Sequence, residues 1–324
     1  MPYLIGTDEA GYGPNLGPLL IAATVWHVPD DCAATDLYKR LKKSVCQTPR
    51  NERDRRVWWA DSKAVYRAGA GLDMLERGLL VALCNLGIDS LPLPESCAAV
   101  WRVLDPHAEL HQQTVPWPVH ASGRFPVANE PTRLKKPAAA LAADLTAQRV
   151  RLVSIRATTV FPERFNALTE QLGTKGEVLS RLTLTLAAEA ARDLTDEPVL
   201  FLCDKHGGRN RYGGLLQDIF YEHFVEVLAE GQTESRYGWG PPANRREIRF
   251  RVQSERFLPA ALASMTAKYL RELAMRAFNE FWCGRLPDLR PTAGYPGDAR
   301  RYKDEIAALQ RDLGIADQRL WRNR

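Results

Sequence analysis

Apolar residues along this chain come in short runs separated by turn residues. Tyr3-Leu4-Ile5 is the first run, and Leu19 to Trp26 is the second. Bounded as they are, residues 3–7 and 18–27 read as strands. The GYGPN between them is too rich in glycine for a helix and suits a tight connection. Residues 35–46 carry a weak helical pattern, and Val57-Trp58-Trp59-Ala60 is a short apolar run that stops at Asp61-Ser62-Lys63. Leu72, Leu75, Leu79, Leu80 and Leu83 recur at helical spacing, which predicts a helix over 71–86.

The pattern then breaks. Residues 89–150 are dense in proline and poor in periodicity. They read as an insertion with a short helix at 138–149, too long to be an empty loop in a compact domain. Beyond it the alternation returns: a strand at 151–161, a strong amphipathic helix at 175–194, and a buried strand from Pro198 to Cys203 that ends at Asp204. A basic, glycine-containing stretch, KHGGRNRYGG, follows at 205–214. The remaining pattern predicts a short helix at 214–220, strands near 223–229 and 247–253, a long helix at 259–282 and a last helix at 297–313. Strands alternating with helices argue for a mixed α/β sheet covered by helices.

Composition adds bounds to that picture. The 324 residues suffice for one large domain or two ordinary ones. A net charge of +5 permits a polyanionic partner without demanding one. No apolar run approaches the length of a membrane span, and acids at positions 8 and 9 speak against a signal peptide. Six cysteines without a CxxC pair read as reduced thiols, so a cytoplasmic location is expected.

The candidate chemistry lies at the strand ends. Asp8 and Glu9 close one strand and Asp204 another. Acids there cost desolvation unless a cation pairs with them, and a hard divalent ion such as Mg²⁺ suits a few carboxylate oxygens. Neighbours in a regular strand face opposite sides, so Asp8 and Glu9 are expected to share a site only where the strand ends and the chain turns. Gly11 and Gly13 supply that turn, and a loop of exposed N–H groups can hold an anion. Lys205, Arg209 and Arg211 are expected at the rim as a phosphate-tracking loop. Other motifs fall away. GYGPNLG misses the dinucleotide spacing by one residue, and His107-Ala-Glu-Leu-His111 lacks the Glu that a zinc helix needs after its first His.

GTDEAGYGPNLGPLLIAATVW resembles the opening motif of the type 2 ribonucleases H. ADSK (60–63), ALASMTAKYLREL (261–273) and GYPGDARRY (294–302) resemble three further segments of that family, in the same order. The resemblance implies a ribonuclease H-like fold, with a mixed central sheet flanked by helices and a C-terminal helical region. A catalytic domain would comprise 1–88 and 151–283, interrupted by the 89–150 insertion, with 284–324 as the helical extension. Asp8, Glu9 and Asp204 would be three of four metal ligands. Glu272, where the family has Asp, would be the fourth. The resemblance further implies two Mg²⁺ or Mn²⁺ ions with substrate. Substrate contacts are implied at Gly11, at Tyr12 (an Arg in the family), at Gly13, Lys63, Lys268, Arg271 and Tyr295. Lys268 and Arg271, three apart, would share a helix face. The implied activity is endonucleolytic cleavage of the RNA strand of RNA–DNA hybrids, or at ribonucleotides embedded in DNA, by a monomer with no membrane partner. The alternative is a nucleic-acid-binding protein of the same fold with altered substrate or lost catalysis.

Overall fold

The computed structural model describes residues 3–51, 53–66, 71–87, 92–108, 115–117, 125–194 and 197–323. Its strands are β1 (Tyr3–Ala10), β2 (Leu19–His27), β3 (Val45–Cys46), β4 (Val57–Trp58), β5 (Arg151–Val160), β6 (Val199–Asp204), β7 (Glu226–Ala229), β8 (Glu234–Trp239) and β9 (Arg246–Arg251). Seven of them form one sheet in the order β5-β2-β1-β6-β9-β8-β7, and β3 and β4 form a separate parallel pair. In the large sheet, β1 pairs antiparallel with β2 and parallel with β6, which itself runs parallel to β9. The mixed sheet covered by helices therefore forms as the alternation of elements predicts.

The helices are α1 (Leu37–Arg40), α2 (Ser62–Val65), α3 (Asp73–Leu83), α4 (Cys97–Leu104), α5 (Pro131–Gln148), α6 (Pro162–Leu172), α7 (Lys175–Ala190), α8 (Gly213–Ile219), α9 (Leu258–Cys283), α10 (Pro296–Asp312) and α11 (Asp317–Leu320). Alternation along β1 divides them between two faces. Leu4 and Ala10 join a core with α3, α5 and α9, whereas Ile5 joins one with α6 and α7. Helix α9 lies directly on β1 because Gly6 has no side chain: a Cβ there would run into the backbone of Pro259 and Ala260.

Several expectations need correcting. Residues 35–46 hold only a 3₁₀ turn and the four-residue α1 before β3 begins. The helix expected at 138–149 starts at Pro131. Helix α6 and strand β8 were not predicted. β8 is easily overlooked because its inward residues, Ser235, Tyr237 and Trp239, alternate with Glu234, Arg236 and Gly238 over only six positions.

The described part of the 89–150 segment is no appendage. Val100, Trp101 and Leu104 of α4 and Leu134, Leu141 and Leu145 of α5 share the α9-side core. Three carboxylates fasten it by accepting backbone N–H bonds. Glu76 takes those of Val127, Ala128 and Asn129, Asp105 takes that of Thr159, and Asp144 takes that of Ser44. At the other end, Tyr302 and Ile306 of α10 close the same core.

Candidate active site

The two acid-bearing strands meet in register. β1 and β6 pair in parallel up to Thr7 and Cys203, so the next residues, Asp8 and Asp204, emerge side by side on the α9 face. Contrary to the expected end at residue 7, β1 does not stop before its acids. It continues through Asp8 and Glu9 to Ala10 in the ladder with β2. What ends is the β6 ladder, and that leaves the acids free on one flank. Glu9, one residue on, starts toward the other face yet stays within electrostatic reach of both aspartates.

Donors reach two of these acids. Asp8 accepts the N–H of Glu9 at 2.8 Å, and the Ser264 hydroxyl of α9 also reaches it. Asp204 accepts the N–H of Ser254 at 3.3 Å, and the N–H groups of Lys205 and Gln253 also reach it. Burial, then repulsion from Glu9, holds the Asp8 carboxyl well above the usual range. Burial and the charge of Asp204 push Glu9 up to about 7. Burial also raises Asp204. The exposed ammonium of Lys63 opposes these shifts at Glu9 and Asp204 and so lies within electrostatic reach of both. It is presented by α2, where Asp61 caps the Lys63 N–H and Ser62 meets Ser264, the two hydroxyl oxygens 3.1 Å apart.

Glu272 does not join the group. Its carboxylate is taken by Lys268, one turn earlier on α9, and by the Tyr66 hydroxyl at 3.0 Å, while the Lys268 ammonium sits over the Tyr66 ring. Among the described residues, no three Asp, Glu, His or Cys side chains converge closely enough to enclose a metal ion as they stand. The donor set of Asp8, Glu9 and Asp204 nevertheless fits a hard divalent cation. It consists of carboxylate oxygens whose mutual repulsion is what a cation relieves.

The glycine-rich loop closes the site. Gly11 has φ of +87°, and a Cβ there would collide with the Arg271 side chain. Gly13 needs no positive φ; a Cβ there would lie 3.9 Å from the ring of Tyr295, which is 54% exposed at the start of α10. Tyr12 lies under the Lys175 ammonium and in the field of Glu9 and Arg209. The loop carbonyls are clasped from beneath. Arg271 donates to Leu16 and Ala293, and Arg322 donates to Gly11 at 2.6 Å and to Pro14. Both arginines are buried.

Arg271 thus corrects the expectation of a substrate contact sharing a face with Lys268. It turns inward to the loop, while Lys268 turns to Tyr66 and Glu272. Arg209 is partly committed too, pairing with Glu177 at 2.7 Å. Lys205 is a second correction. Its ammonium binds the Asn210 side chain, the Arg209 and Gly231 carbonyls and the Ser235 hydroxyl, so it ties the 205–214 loop to the β7–β8 turn and does not face the rim. Arg211 remains 89% exposed. Tyr66 and Arg322 escaped sequence reasoning, because neither stands in a motif and their partners lie 206 and 311 residues away. Of the histidine pair considered for zinc, His107 is exposed and His111 lies outside the described residues.

No family model matches the sequence, and no curated protein does. Among solved structures, the chain is similar to RNase HII in its PCNA complex from Archaeoglobus fulgidus, at 16% identity over 99% of this chain and 94% of that one, with a TM-score of 0.43. It is similar to ribonuclease H2 from Pyrococcus horikoshii OT3, at 13% identity over 98% and 92% of the two chains, with a TM-score of 0.44. It is also similar to Bst-RNase HIII in complex with Mn²⁺, at 13% identity over 99% and 65%, with a TM-score of 0.41. These likenesses are too distant to carry the chemistry, which rests on the residues of the site.

Proposed function

We propose that this chain is a divalent-metal-dependent nuclease of ribonuclease H type, which cleaves the RNA strand of RNA–DNA hybrids or cuts at ribonucleotides embedded in duplex DNA. The observation that carries this is the emergence of Asp8 and Asp204 side by side from parallel strands, with Glu9 and Lys63 next to them and the Gly11–Gly13 loop alongside. Asp8, Glu9 and Asp204 would hold Mg²⁺ or Mn²⁺. Bound there with substrate, two such ions supply Lewis acidity at the attacking water and at the leaving oxygen. Lys63 supplies the fixed positive charge for a phosphate beside the acids. The loop lets a sugar approach its backbone at Gly13, where the absence of a side chain leaves room for a 2′-hydroxyl, while the bare Gly11 makes room for the Arg271 side chain behind it. Tyr295, exposed beside Gly13, offers a flat face on which the neighbouring sugar can rest.

The test is cleavage of a labelled RNA–DNA hybrid, and of a DNA duplex holding one ribonucleotide, with Mg²⁺ or Mn²⁺. Asp8→Asn runs beside the wild type. Metal-dependent cutting by the wild type, reduced about a thousandfold or more in the variant, is the expected result, since several kcal/mol of charge stabilisation are removed. Absence of cutting by the wild type on both substrates overturns the proposal. A second reading is favoured by one observation: Glu272 is engaged by Lys268 and Tyr66. In it the fold is kept for nucleic-acid binding with altered substrate or without catalysis, and binding would then persist where cutting does not occur.

A further inference from the structure

The positive charge of this chain is concentrated in one segment. Residues 39–56 hold eight Lys and Arg against two acids, a net of +6, whereas the whole chain carries +5. Everything else is close to neutral. Like charges gathered this way repel one another, so a surface that keeps them is set up for a polyanion.

The fold brings them to one place. β3 and β4 run parallel, with Val45 opposite Val57 and Cys46 opposite Trp58, so Lys42-Lys43 and Arg55-Arg56 enter the pair from the same end. The Arg56 guanidinium donates to the Lys42 carbonyl at 3.4 Å. Arg77 of α3 donates to the Arg55 carbonyl at 2.9 Å and adds another cation to the cluster. Among the described residues, two nearby acids are already used: Asp54 by Arg56 at 2.6 Å, and Asp31 by Arg40 at 2.8 Å. Lys42, Lys43, Arg50, Arg53 and Arg55 are exposed, and among the described residues none of their side chains pairs with a carboxylate. Val45, Val57 and the following Trp59 are buried, and Trp58 is half-buried with its indole N–H donated to the Gln47 carbonyl at 2.9 Å. Cations therefore dominate what the face exposes.

Its position relates it to the acids. Arg56 and Lys63 are seven residues apart, a span of at most about 25 Å. That is shorter than the ~34 Å of one duplex turn. We propose that Lys42, Lys43, Arg50, Arg53 and Arg55 form a docking face for the sugar–phosphate backbone of the duplex, within one helical turn of the cleavage centre. This rests on the nucleic-acid reading of the Asp8 site.

The test is equilibrium binding of a fluorescent RNA–DNA hybrid, measured by anisotropy over a salt series, for the full chain and for Lys42→Gln/Lys43→Gln/Arg53→Gln/Arg55→Gln. Asp8→Asn is introduced into both so that no cutting intervenes. The expected result is weaker binding by tenfold or more at moderate salt, with the slope of log affinity against log salt smaller by about two to four. An unchanged affinity and slope, or no binding of hybrid by the chain with its cations intact, overturns the docking face. If the wild type binds hybrid without cutting it, the nuclease reading fails alone and the slopes still decide the face.

Discussion

Two groups of carboxylates in this molecule are worth setting side by side. Glu76, on α3, is fully buried, yet its oxygens accept the N–H groups of Val127, Ala128 and Asn129, the Asn129 side-chain amide and the Tyr269 hydroxyl, all between 2.7 and 3.1 Å. Asp8, Glu9 and Asp204 are less enclosed, and although donors reach Asp8 and Asp204, the three acids repel one another. Burial of an acid is therefore no mark of chemistry. What separates the two groups is satisfaction. Glu76 is complete without a ligand and ties residues 127–129 to α9, whereas the strand-end acids keep a mutual repulsion that only positive charge relieves.

That contrast can be broken by experiment. The largest effects are expected from exchanging the two roles. Asp8→Asn should abolish cutting while leaving the fold intact, because it removes repulsion. Glu76→Gln should do the reverse and lower stability by about 3 kcal/mol or more, since amide donors lose their charged acceptor in the core. A denaturant midpoint for each variant decides this. If Glu76→Gln melts like the wild type, the structural role assigned to it is wrong.

A smaller effect concerns pH. Glu9 is protonated more readily in the folded chain, near pH 7, than a free glutamate, near 4.5. Between those values the folded state holds a proton that the unfolded state has released. This contribution to stability is therefore present at pH 5 and lost as the pH rises through 7. Without divalent metal, the melting temperature should fall over that window, and Glu9→Gln should flatten the fall. A wild-type melting temperature that rises steadily from pH 5 to 8, unaltered by the substitution, would contradict it. The smallest effect is expected at Glu272. Held by Lys268 and Tyr66, it should cost less than about tenfold in activity as Glu272→Gln. A loss as large as that of Asp8→Asn would mean that this carboxylate swings into the centre when substrate binds.

The sheet and its acids were legible because their signals are local. Apolar runs stopping at Asp8-Glu9 and at Asp204 mark strands with acids at their ends, and parallel pairing of such strands sets the acids side by side. The glycine-rich stretch after β1 announced a tight loop in the same way. Arg271 was misread for an equally local reason: three-residue spacing from Lys268 suggests a shared face, but on α9 the two sides of that face meet different neighbours. Lys205 was misread because a basic run looks solvated until the Gly231 carbonyl and Ser235 hydroxyl are seen beneath it.

By itself, then, the sequence determined the order of elements, the acids at the strand ends, the glycines that allow close approach and the concentration of charge at 39–56. Only the tertiary structure decided which groups remain free to act. Tyr66 takes Glu272 across 206 residues of chain, and Arg322 clasps Gly11 across 311. Periodicity reports the face a residue presents within its own element. The partner it meets there depends on the path of the whole chain, and no local pattern encodes that path.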